Sequence, residues 1–154
     1  MTEFLTSFLS ACQKVCDELT LMTSLEQDKR QALLGNDVKA IEQITNKQQA
    51  LSMKLENAEK KRVSAQIACG FENKTSRDIL NELSAEDKKV FSPVFEKLYN
   101  TADILKITNK ASLDIVAIEL SLLKDRLPAT ETNFAQPGKR GYSTYTKPTF
   151  QGTF

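Results

Sequence analysis

Between residues 41 and 62 the chain reads IEQITNKQQALSMKLENAEKKR, with Ile41, Ile44, Gln48, Leu51, Leu55, Ala58 and Arg62 separated by alternating steps of three and four. That spacing sets all seven on one face of a helix, each about a turn from the next. A helix cannot bury its own stripe, so this segment demands a neighbour along its whole length. The first neighbour available is the preceding segment. There Leu5, Phe8, Leu9, Cys12, Val15, Cys16, Leu19 and Met22 share one face of a helix expected from Glu3 to Leu34.

The link between the two is Gly35-Asn36-Asp37. Gly35 is expected to take the left-handed C-terminal position and Asp37 to cap the next helix, which runs from Val38 to Cys69 and stops at Gly70. Each helix is about 30 residues, hence ~45 Å. A three-residue turn between helices of equal length makes an antiparallel hairpin.

Residues 71–92 are mixed, with a short helix expected around Arg77–Leu83 and Ser84 as a further cap. Ser92-Pro93 reads as N-cap and first helical residue of a third long helix, since proline fits the first turn. That helix reaches Arg126 and ends at Leu127-Pro128. It bears two stripes: Leu98, Ala102, Leu105, Asn109, Val116, Leu120, Leu123 and Leu127 on one face, and Ile104, Ile107, Ala111, Ile115, Ile118 and Leu122 on another more than about 120° away. The hairpin covers one stripe, which leaves the other for a second copy or a partner. Asn109 favours its own stripe as the open one, because a buried amide needs a hydrogen-bond partner.

Beyond Leu127 no Leu, Ile, Val or Met occurs, although Phe134, Tyr142, Tyr145, Phe150 and Phe154 do. The expected organisation is therefore a folded body, residues 1–127, and a flexible aromatic and basic tail, residues 128–154. In the tail Lys139, Arg140 and Lys147 stand against Glu131 alone. The fold class is all-α: an antiparallel helical hairpin plus a third long C-terminal helix, a three-helix coiled-coil-like bundle.

The function classes narrow by chemistry. A net charge of +1 over 154 residues argues against a nucleic-acid surface. GKRGYSTYTK, where cations alternate with aromatics, is the weaker contrary sign. No apolar run is long enough to span a membrane, and Glu3 stands where a signal peptide carries cations. A cytoplasmic protein is expected, with Cys12, Cys16 and Cys69 as reduced core thiols and no metal or other cofactor. The chain has no histidine, and no phosphate-binding or nucleophile motif, so an enzyme is not expected. Two readings stay open: a binding module that offers an apolar helix face to a partner, and a self-associating scaffold that closes on its own second stripe.

The segment LLGNDVKAIEQITNKQQALSMKLENAEKKR, residues 33–62, resembles the FlgN-type flagellar export chaperones in its order of helix, Gly-Asp turn, Gln- and Lys-rich second helix and terminal basic cluster. LYNTADILKITNKASLDIVAIELSLL resembles that family's C-terminal helix, with Asn109 at the recurring Asn position. The family's tail carries Tyr-x-x-x-Gly, where this chain reads Phe134-Ala135-Gln136-Pro137-Gly138. The likeness spans most of residues 5–138.

The resemblance implies a cytoplasmic chaperone for hook-associated proteins of the hook–filament junction. It would prevent their premature assembly and deliver them to the flagellar type III export gate without nucleotide. It further implies that the C-terminal region of the client lies on the third helix. With Asn109 favouring its own stripe as the open one, the contact falls at Asn109, Leu113, Val116, Leu120, Leu123 and Leu127. The tail would dock on the gate through Phe134, or through Tyr142 or Tyr145 in its place. The export-gate component and the export ATPase complex are the other partners implied.

Overall fold

The computed structural model describes residues 1–126. It contains α1 (Glu3–Leu34), α2 (Val38–Ala68), α3 (Ser76–Glu82) and α4 (Ala85–Arg126), with no strand among the described residues. The expected helical bundle is therefore observed. The tail, residues 128–154, lies outside the described residues.

The helix ends follow from local hydrogen bonding. The Thr2 hydroxyl accepts from the Leu5 N–H and starts α1. The reversal into α2 does not fall on Gly35, whose φ is −87°. Asn36 takes the left-handed conformation instead, with φ 53°. The reason is visible in the ladder: the Gly35 N–H still bonds the Gln31 carbonyl at 3.0 Å, so the right-handed path runs one residue further. Asn is among the few side chains that tolerate the left-handed region. Asp37 then caps α2, accepting from the Ala40 N–H at 3.0 Å.

At the far end Cys69 is the cap rather than the last helical residue, and Gly70 turns the chain with φ 78°. Gln66 stitches the following loop down, donating to the carbonyls of Phe71 (2.9 Å) and Lys74 (3.0 Å). Thr75 and Asp78 form a reciprocal capping box that starts α3.

The long last helix begins earlier than Ser92-Pro93 suggests. The Ser84 hydroxyl accepts from the Asp87 N–H at 3.1 Å and starts α4 at Ala85, which leaves Pro93 inside the helix. Pro93 cannot donate to the carbonyl of Lys89, and an interior proline costs about 3 kcal/mol. Lys89, Ser92 and Pro93 are all exposed, so water can serve the vacant carbonyl. The flanking Phe91 and Phe95 are buried, and each offsets about 1.5–3 kcal/mol.

Those phenylalanines define the lower core. Phe8 lies 5.6 Å from Phe91, 6.0 Å from Phe95 and 6.4 Å from Phe71, centroid to centroid, and Cys12 and Ile79 complete the cluster. The upper core joins Val15, Cys16, Leu19, Ala58 and Leu98, with Leu55, Ala102 and Leu105 against it. Low numbers of α1 thus meet low numbers of α4 and higher meet higher, so the two run parallel while α2 runs antiparallel. Helix α1 packs on both α2 and α4, which meet each other through side chains such as Ala58 and Leu98 rather than through close backbones. Every member of the 41–62 stripe is buried or half-buried. Cys12 and Cys16 are buried free thiols; burial pushes Cys12 up to about 12.

Candidate functional site

The uncovered surface of α4 is set by a difference in helix length. Leu98 packs level with Val15, Cys16 and Leu19, and α1 ends 15 residues beyond Leu19, at Leu34. The same advance brings α4 to residues 113–117, yet α4 continues to Arg126. The exposure pattern agrees: Ser112 is buried, Ile115 half-buried, and every residue from Val116 to Asp125 exposed. About 15 Å of helix therefore runs past the hairpin turn. A lone helix of that length is marginal in water, and a neighbour on its apolar surface would stabilise it.

Asn109 is exposed, and Leu113, Val116, Leu120 and Leu123 are 55%, 38%, 54% and 53% exposed. Leu127, Phe134, Tyr142 and Tyr145 lie outside the described residues. The second stripe, not among the candidate residues, is open too: Ile104, Ile107, Ile118 and Leu122 are exposed, while Ala111 and Ile115 are half-buried.

The choice between two whole stripes is thus corrected. The face of α4 turned to α1 is marked by Phe91, Leu98, Leu105 and Ser112, each seven residues from the last and each buried or half-buried. A seven-residue seam drifts by about 20° per repeat around a straight helix. From Leu98 to Ser112 that drift is small, so the covered face stays close to the leucine stripe as far as α1 reaches. Leu98, Ala102 and Leu105 are covered, whereas Val116, Leu120 and Leu123 on the same stripe are not.

The polar intrusions have separate explanations. Gln48 lies inside the hairpin, donating to Glu26 and accepting from Lys29 at 3.1 Å. Arg62 makes a two-pronged contact with the Glu59 carboxylate (2.7 and 2.8 Å) and donates to Gln66 at 2.8 Å. Gln48 is half-buried and Arg62 buried, so neither belongs to the exposed end of α4. Leu113, Val116, Leu120 and Leu123 there offer apolar area that burial against another surface would stabilise.

Residues 1–148 match the family model described as FlgN protein. The chain belongs to the FlgN family. FlgN proteins are chaperones of flagellar export, and that general role applies to this chain. No curated protein and no solved structure matches it. No described helix is long and apolar enough to cross a membrane.

Proposed function

We propose that this chain is a cytoplasmic chaperone that holds the C-terminal region of a hook-associated protein, keeps it from assembling early and delivers it to the flagellar type III export gate. The observation that carries the reading is the overhang of α4. Ten successive exposed residues include Val116, Leu120 and Leu123 on a single face, with no hairpin opposite. Leu113 extends that surface toward the bundle, Asn109 offers an amide at its edge, and Leu127 continues the stripe in sequence. The tail then serves as the gate contact, through Phe134, Tyr142 or Tyr145, and the export ATPase complex is a further partner.

The test is calorimetry with a purified hook-associated protein against the wild type and against Val116→Asp with Leu120→Asp. Both positions are exposed, so helicity and melting should stay as in the wild type while client binding is lost. Undiminished binding by the double variant would refute the assignment. Light-scattering mass with and without client separates this reading from a self-associating scaffold: a monomer that gains one client supports it, and a client-indifferent dimer opposes it.

A further inference from the structure

The isoleucine stripe of α4 contains an internal repeat. Asp103-Ile104-Leu105-Lys106-Ile107 and Asp114-Ile115-Val116-Ala117-Ile118 both read D-I-x-x-I, offset by eleven residues, and Asp125 follows after eleven more. Eleven residues are close to three full turns, about 16 Å, so the same face is presented twice along a nearly straight line. Ile104, Ile107 and Ile118 are 51%, 62% and 61% exposed, and Leu122 is 43%.

Asp103, Asp114 and Asp125 line one margin of this stripe. All three are exposed, and none forms an ion pair or side-chain hydrogen bond among the described residues. Lys106 and Lys110 lie a further step round the helix, on the side away from the isoleucines.

At roughly 100 Å² apiece the four exposed members present ~400 Å², joined through half-buried Ala111 and Ile115, within the range of the largest apolar patch on a typical monomer, which is often functional. The strip runs from Ile104 to Leu122, about 27 Å, yet is only one side chain wide. That shape suits a single helix laid alongside. The row of carboxylates selects the charge of its margin, as charges flanking an apolar seam set partner choice between paired helices. We infer that this face, distinct from the leucine surface, binds an amphipathic partner helix of about five turns whose flank carries Lys or Arg. Its contact area is small, so the complex is a weak and exchangeable one.

Two synthetic probe helices of 22 residues, with identical Ile/Leu stripes and either Lys or Glu along the flank, test this without a client. The inference can therefore fail while the proposed client surface stands, and the reverse. Fluorescence anisotropy at low salt with the full chain should favour the Lys-flanked probe by about tenfold. Asp103→Lys with Asp114→Lys should reverse that preference, and Ile107→Asp with Ile118→Asp should abolish binding of both probes. Leu120→Asp with Leu123→Asp should leave it intact. Equal affinity for the two probes, or loss of binding in the leucine variant, would overturn the inference. So would a wild-type dimer in sedimentation that Ile107→Asp with Ile118→Asp converts to monomer, because a second copy would then cover the face.

Discussion

Gln48 donates through Nε2 to the carboxylate of Glu26 at 2.5 Å across the α1–α2 interface. Glu26 is 3% exposed, and its other oxygen has no partner among the described residues. Lys29, 3.2 Å away, is its remaining support.

This relationship gives Gln48 a structural task, since it supplies a donor to a buried carboxylate. Replacing it by Leu would add apolar area but strip a donor from a buried carboxylate. Leaving a buried polar group short of a partner costs about 1–3 kcal/mol. Gln48→Leu is therefore expected to destabilise, and Glu26→Leu combined with Gln48→Leu to recover much of the loss. Urea denaturation of the two single variants and the double variant measures the coupling; strict additivity would show that the contact does not matter.

Leu51 sits at 8% exposure in the middle of the α2 stripe. Leu51→Ala should lower unfolding free energy by about 2–5 kcal/mol, the lost transfer energy plus the cavity. Met53, two residues on and 69% exposed, is the internal control. Its change to Ala should shift stability by less than about 0.5 kcal/mol. Equal denaturation midpoints for the two variants would contradict the packing of α2 on α1.

Cys12 supplies a pH dependence. Burial raises its thiol from 9.0 to about 12, with the Arg62 charge opposing. The folded state then holds a proton that the unfolded chain releases above pH 9, so stability is complete below that pH and declines as pH climbs toward 12. The slope is at most about 1.4 kcal/mol per pH unit. Melting temperatures of wild type and Cys12→Ala across pH 8–11 should converge at the alkaline end. A constant difference would assign the alkaline loss to other groups. Alkylation at pH 8 should reach half-buried Cys69 before Cys12.

The tail prediction follows from the proposed handover. Deleting residues 130–154, or changing Phe134→Ala, should leave client affinity unchanged and weaken binding to the soluble domain of the export gate. One aromatic inserted into an apolar recess contributes about 1.5–3 kcal/mol, roughly ten- to hundredfold in affinity. Tyr142→Ala and Tyr145→Ala assign the role among the alternatives. Identical gate affinity for the truncated and complete chains, measured by calorimetry, would transfer docking to the body.

Local signals in this chain were sufficient for what is local. The α2 stripe, the Asp37 cap and the Gly70 stop all act within a few residues of their own position, so they are legible without knowing the rest of the molecule. The same local logic misplaces the turn and the proline. Gly35 offered left-handed freedom, yet the ladder to Gln31 carried the helix through it and Asn36 made the turn. Ser92-Pro93 has the form of a helix start, but the packing of Phe91 and Phe95 against Phe8 holds helix on both sides of the proline.

The open surface of α4 depends on a distant event. Leu98 and Leu120 occupy one stripe and look alike in sequence; the first is 2% exposed and the second 54%. What separates them is that α1, seated parallel to α4 by the Phe8 and Cys16 contacts, ends at Leu34. The apolar periodicity determined which residues seek burial. Only the register between two helices more than 80 positions apart decided which of them find it within the chain, because that register is a property of their packing and is written in neither helix alone.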